Sequence, residues 1–205
     1  MTDEDLYRSL ATTSEGVYRE KGSKFYAHAY PVSDEEAVKE RLQALRRQYH
    51  DARHHCYAFV LKPSAGQEEY FRANDDGEPT HSAGDPILGQ IRSHNLYDVL
   101  VVVVRYFGGT KLGVGGLVNA YKTAAAEALT HNRMVEKVRK EVLRIRFGYA
   151  ATSEVQQIVH QCEAEVAEQA FEQDCYFRLL VPRSLLEPTR QRLTATQGVI
   201  VVDDE

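Results

Sequence analysis

The sequence predicts an α+β fold in two domains, spanning about 1–135 and about 138–205. Three observations carry this expectation. Short apolar runs of strand type alternate with segments of helical periodicity along the chain. The pattern breaks at RMVEKVRK, residues 133–140, which is polar and charged. Beyond that break the elements read strand, helix, strand, strand, helix, strand, the βαββαβ order of a ferredoxin-like domain.

After a polar lead-in, Val17–Arg19 and Phe25–Tyr30 read as strands, and the glycine in REKGSK makes them a hairpin. Ser33, with Glu36 three residues on, has the spacing of a capping box, and Val38, Leu42, Leu45 and Tyr49 recur on one face of the helix that follows. RHHCYAFVL is a strand apolar on both faces, hence central and covered on both sides. KPSAGQ is a turn, EEYFRA a short strand, NDDGEPTHSAGDP a polar loop and Ile87–Ile91 part of a short helix. Asp98–Arg105 forms a strand. The helix over Leu117–Leu129 starts near Gly115 or Gly116 and aligns Leu117, Tyr121, Ala124 and Ala128.

In the second domain the strands are Val142–Tyr149, Ala164–Phe171, Tyr176–Val181 and Val199–Val202, and the helices Ser153–Cys162 and Leu185–Ala195. Ser153 with Gln156, and Ser184 with Glu187, have capping-box spacing; Gly198 stands where a helix C-terminus wants one.

Composition narrows the function. Hydrophobic content of 43% and charged content of 27% are ordinary for a water-soluble globular chain of 205 residues, and no apolar run is long enough to span a bilayer. The N-terminal stretch MTDEDLYRSL is acidic and lacks the basic flank of a signal peptide, so a cytoplasmic location and no membrane partner are expected. Cys56, Cys162 and Cys175 are odd in number and form no CxxC, which suggests neither a disulfide framework nor a zinc finger. Net charge is −5, with 16 basic and 19 acidic side chains up to residue 136, and 9 and 11 beyond it. Neither half is basic. Strong non-specific nucleic-acid binding is therefore not expected, although a local basic groove remains open.

Three stretches of the first domain carry unusual residues. RYFGGTKLGVGG, Arg105–Gly116, follows an apolar strand and opens a helix. Its glycines Gly108, Gly109, Gly113, Gly115 and Gly116 permit close backbone approach, the helix end offers free N–H groups, and Arg105 and Lys111 add positive charge. Together these describe an anion site, simplest for phosphate; the alternative is a glycine-rich turn packing a helix tightly onto a sheet. Neither GxxxxGK[ST] nor GxGxxG is present. In the loop Asp75–Ile87, the residues Asp75, Asp76 and Glu78 suit either turn hydrogen bonding or a divalent cation. In DARHHC, alternation puts His54 and Cys56 on one face and His55 on the other. This set is too small for zinc and poorly spaced for a cysteine–histidine nucleophile, so His54 and His55 read as ligand contacts or buried imidazoles.

Taken together, DARHHC, NDDGEPTHSAGDPIL and VVVVRYFGGTKLGVGGLVNAY, with the earlier GSKFYAHAYPV, resemble the YigZ/IMPACT family over nearly the full length. The resemblance implies an N-terminal domain like the second domain of a small-subunit ribosomal protein, a βαβ sandwich of sheet and helices. It also implies a ferredoxin-like C-terminal domain similar to a late domain of elongation factor G. Eukaryotic relatives regulate translation by blocking activation of a general-control kinase, and carry an RWD module ahead of the shared domain. That activity is not expected to transfer. For bacterial relatives, nucleic-acid or ribosome association has been inferred from fold, which is a weak warrant.

The family supplies no catalytic residues, so none is nominated, and no metal or cofactor is called for. The candidate ligand-binding residues are Arg53, His54, His55, Asp75, Asp76, Glu78, Arg105, Gly108, Gly109, Lys111, Gly113, Gly115 and Gly116. In this expectation Asp76 and Glu78 orient the basic groups or a bound cation. The leading function is a non-catalytic module binding RNA, the ribosome or a translation factor. An enzyme acting on a small phosphorylated substrate is the alternative, and a protein-interaction module with fold-specifying turns is a third.

Overall fold

The computed structural model describes residues 5–62 and 69–202. The chain divides into two compact units. One is Arg8–Glu136; the other joins the chain from Lys137 onward to the short segment ending at Tyr7.

In the first unit, β2 (Ser14–Glu20), β3 (Ser23–Pro31), β4 (His54–Leu61), β5 (Tyr70–Asn74) and β6 (Val99–Tyr106) form an antiparallel sheet in the order β2-β3-β6-β4-β5. Helices α2 (Gly84–Ser93) and α3 (Gly113–Thr130) cover one face, and α1 (Glu35–Gln48) covers the other. This explains the valine run. Val101 and Val103 enter the core under α2 and α3, while Val102 and Val104 enter the core under α1. A strand buried on both faces has no place for polar alternation. The β2–β3 hairpin closes through Lys21 and Gly22, both at positive φ (47° and 80°), the two-residue turn whose twist matches the strands.

Several boundaries differ from the sequence reading. The cap of α1 is Asp34, whose carboxylate accepts from Ala37 N at 2.8 Å; Ser33 donates to that carboxylate instead of capping. Helix α3 begins at Gly113, ahead of the expected Gly115 or Gly116. The stretch expected as a polar break holds β7 (Met134–Val138), which pairs with β1 (Leu6–Leu10) as a two-stranded sheet. Its partner lies at the other end of the sequence, so no local signal marks it. The KPSAGQ turn falls largely outside the described residues.

In the second unit, β8 (Lys140–Phe147), β9 (Glu165–Phe171), β10 (Cys175–Pro182) and β11 (Val199–Val202) form a sheet in the order β11-β8-β10-β9. Helices α4 (Thr152–Gln161) and α5 (Leu186–Ala195) pack on one side of it, burying Leu143, Ile145, Phe147, Val155, Ile158, Phe177, Leu179 and Leu193. Numbered within the unit, the order is 4-1-3-2, the ferredoxin-like arrangement. Neither expected capping box forms here: α4 and α5 have no side-chain cap, and Ser184 bonds the carboxylate of Asp5 through both its N–H and its hydroxyl. Gly198 takes the expected positive φ of 79°. Among the described residues, no helix is long and apolar enough to cross a membrane.

Candidate functional site

The three unusual stretches meet at one end of the first unit's sheet. His54 on β4 lies directly across from Arg105 on β6, and the Asp75–Glu78 loop folds over both.

The loop carboxylates point in separate directions. Asp75 accepts from the N–H groups of Ala83 and Gly84, at 2.9 and 2.8 Å, and of His81 at 2.8 Å. It therefore serves as the cap of α2. Burial alone would raise its pKa, but those three donors outweigh it and the group sits below the usual carboxylate range. Asp76 accepts from His55 N at 2.7 Å and pairs with Arg46 at 3.3 Å. Glu78 turns inward, 4% exposed, and receives Arg105 Nη1 at 2.6 Å and the Tyr121 hydroxyl at 2.8 Å. Among the described residues, no group of three or more His, Cys, Asp and Glu side chains is arranged to hold a metal ion.

Arg105 is therefore not an open cation. Only 7% exposed, it is balanced by Glu78 and lies over the rings of Phe25 and Phe107 at 5.5 and 5.6 Å. Its charge is committed to Glu78, which ties the loop to β6, and its side chain also lines two of the clefts bordered by Phe107. Cys56 is buried between the Tyr121 hydroxyl (3.3 Å) and the carbonyl of Asp75 (3.0 Å), and burial pushes its thiol pKa well up. Such a thiol is a poor nucleophile.

His54 is held by the carbonyl of Asp76 at 2.9 Å, while His55 is 5% exposed on the α1 face. Burial lowers the His55 pKa, only partly opposed by Asp76, and burial likewise lowers that of His28 against the pull of Glu15. Both Nε2 atoms lack a hydrogen-bond partner. A histidine whose folded pKa is depressed contributes stability above its unfolded pKa of about 6.5, and this is lost as pH falls below that value. The urea midpoint is expected to fall between about pH 7.5 and pH 5.5, and to fall less in His28→Gln/His55→Gln. A wild-type midpoint that does not move over this range would contradict the assignment.

The glycines divide by role. A Cβ on Gly108 would lie 1.9 Å from Gly22 C and 2.1 Å from Ser23 N, so Gly108 lets the hairpin turn close on the end of β6. Gly109 and Gly113 take positive φ, 88° and 74°. Gly116 faces Leu112, and Gly115 faces open space. Helix α3 has no side-chain cap and no acidic residue in its first turn. Its first N–H groups thus lack helical partners, and the helix's own first turn places no carboxylate beside them; Glu78 lines the same cleft, with its carboxylate engaged by Arg105 and Tyr121.

Around that helix end lie exposed groups that the sequence reading did not assign to the site. Phe107, 57% exposed, borders three adjoining clefts. One of about 390 Å³ includes Lys111 and Gly113; one of about 410 Å³ includes Arg53 and His54; one of about 490 Å³ includes Lys24, Tyr26 and Tyr49. An aromatic placed immediately beyond the buried strand, in RYFGG, was the available signal. Lys24 and Tyr26 could not be placed before the β3–β6 register was known, which sets them opposite Tyr106 and Val104.

Comparison with known proteins agrees with this architecture. Residues 21–129 match the Impact N-terminal domain family. The Bacillus subtilis IMPACT family member YvyE is 32% identical over 160 residues, covering 78% of this chain and 72% of that one. An IMPACT family member of Haemophilus influenzae is 31% identical over 197 residues, covering 94% and 95%. A crystal structure of a hypothetical protein aligns over 98% of both chains, with 27% identity and a TM-score of 0.72. The chain therefore belongs to the IMPACT family, carrying an Impact N-terminal domain followed by a ferredoxin-like C-terminal region.

Proposed function

We propose that this protein is a non-catalytic, translation-linked binding module whose first unit engages single-stranded RNA at the open end of α3. The observation that carries the reading is the exposed ring of Phe107 beside an uncapped helix N-terminus without first-turn acids. Lys111, Arg53 and Lys24 line the clefts that meet at this ring. Free N–H groups and scattered cations suit phosphates, and an exposed ring suits a stacked base. The site is local, which reconciles it with a net charge of −5. Binding is favoured over turnover because the nearest titratable groups are engaged: Glu78 by Arg105 and Tyr121, Asp75 by backbone N–H groups, and Cys56 in the core.

The test is a filter-binding titration with ribosomal RNA at about 50 and 200 mM salt. The double variant Arg53→Ala/Lys111→Ala is expected to make the salt dependence shallower by about 1.4 in log–log slope. Phe107→Ala is expected to weaken binding by about 1–3 kcal/mol. Both variants change exposed side chains, so cooperative unfolding should persist. Wild-type affinity in both variants, or no RNA binding by the wild type, overturns the reading.

A further inference from the structure

The face of the first unit's sheet that carries α1 is sealed only in part. The core under α1 lies over β4 and β6, where Tyr57, Phe59, Leu100, Val102 and Val104 are buried. Over β3 the same face is built from rings. Alternation puts Lys24, Tyr26, His28 and Tyr30 on it, and Tyr49, just past α1, and Tyr106, the last residue of β6, border them. The rings form a continuous chain. Between centroids, Tyr106 meets Tyr26 edge-on at 6.0 Å, Tyr26 stacks on Tyr49 at 6.0 Å, Tyr49 tilts against His28 at 5.4 Å, and His28 stacks on Tyr30 at 6.3 Å.

Burial divides these rings. His28 is buried, whereas Tyr26, Tyr30, Tyr49 and Tyr106 pack against the α1 core and stay half-buried, with Val17, 47% exposed, opposite Tyr26. A contiguous apolar strip left partly in water marks an interaction surface. Tyr26, Tyr49 and Tyr106 share the cleft of about 490 Å³ with Phe107, so four rings open onto one cavity. Positive charge stands at both ends of the strip. Exposed Lys24 borders the cleft, and exposed Arg41 lies over the Tyr30 ring at 5.1 Å. The carboxylates along it are turned to ring partners: Glu15 pairs with His28 at 3.2 Å, and Asp51 accepts from the Tyr106 hydroxyl at 2.6 Å. Lys24 and Tyr30 are six residues apart on one strand, about 20 Å, a span longer than one nucleotide fills. Aromatics on a sheet face with cations at either end suit stacked bases joined by phosphates.

We infer that the strip from Tyr106 through Tyr26 and Tyr49 to Tyr30 is where the RNA strand continues beyond Phe107, with a base in the four-ring cleft, its phosphate on Lys24 and a further nucleotide bound by Arg41 beside Tyr30. The inference rests on the single-stranded RNA reading above and extends it from the end of α3 to the sheet face.

The experiment is fluorescence anisotropy of the full chain with labelled oligouridines of about 4 and about 12 nucleotides, between about 50 and 200 mM salt. The variants are Tyr49→Leu, Tyr30→Leu/Arg41→Ala, Arg41→Ala and Phe107→Ala. Leucine keeps an apolar side chain at the edge of the core while removing the ring, and a urea melt of each variant checks folding. Tyr49→Leu is expected to weaken both oligomers about tenfold. Tyr30→Leu/Arg41→Ala is expected to weaken the longer one about tenfold and the shorter by less than about twofold, so that the gain in affinity with length shrinks. Arg41→Ala, at an exposed position, should make the log–log salt slope of the longer oligomer shallower by about 0.7. If Phe107→Ala weakens binding while the tyrosine and Arg41 variants bind both oligomers as wild type does, this inference falls and the reading at the end of α3 stands. If those variants lose binding and Phe107→Ala does not, the strip stands and the contact at the end of α3 falls. Absence of oligouridine binding by the wild type overturns both. A poly-glutamate peptide that binds at least as tightly as oligouridine, and weakens equally in Tyr30→Leu/Arg41→Ala, makes the strip a surface for acidic protein and overturns the inference.

Discussion

Arg105→Ala is expected to lower the free energy of unfolding by about 3–5 kcal/mol, because it strands a carboxylate in the interior. Glu78 is 4% exposed and Arg105 7%, and their contact of 2.6 Å is joined by the Tyr121 hydroxyl. Removing the guanidinium leaves Glu78 with a single donor at a largely buried position on the wall of a cleft. The loss should appear as a lower urea midpoint with a largely unchanged slope. Replacing both partners, as in Glu78→Leu/Arg105→Met, should cost markedly less than Arg105→Ala alone, since no unpaired charge then remains. If the single and double variants are equally destabilised, or if Arg105→Ala is neutral, the pair does not hold the loop. The consequence for function is practical. Loss of RNA binding in Arg105→Ala would report unfolding of the site, so exposed Lys111, Arg53 and Phe107 are the informative positions.

The second large effect lies within the glycine cluster, where neighbouring substitutions should have opposite signs. Gly108→Ala places a methyl group 1.9 Å from Gly22 C, against backbone that cannot swing aside as a side chain would. The β2–β3 hairpin would have to move off the end of β6, with an expected cost of about 3 kcal/mol or more. Gly115→Ala meets nothing within 4 Å and sits in the first turn of an 18-residue helix. It should stabilise by about 0.4–1 kcal/mol through reduced freedom of the unfolded chain. Thermal melts of the two variants beside wild type decide the matter. A Gly108→Ala protein that melts with wild type would show that the close approach is not required.

Much of the fold was legible because it rests on local periodicity. The valine run of β6, the apolar stripe of α3, the REKGSK hairpin and the βαββαβ order of the second unit each follow from residues near one another. What was misread depended on partners distant in sequence. Strand β7 looks like a polar connection until β1 supplies its hydrogen bonds. Ser184 looks like a cap until Asp5 takes both of its donors.

The candidate site divides in the same way. By itself, the sequence determined that glycines, two cations and a carboxylate loop would gather at strand ends, since motif order and strand polarity place them there. Only the tertiary structure decided which of them remain free to act. Pairing is a matter of distance across the sheet: Arg105 and Glu78 are 27 residues apart in sequence and 2.6 Å apart in space. Burial then makes that pairing obligatory, because an isolated charge cannot be left in the interior. By the same logic Asp75 was committed to α2 and Cys56 to the core, while Phe107, Lys111 and Arg53 stayed at the surface. Residue types along a chain specify which chemistry is available; folding, by choosing partners and excluding water, specifies which of it faces a ligand.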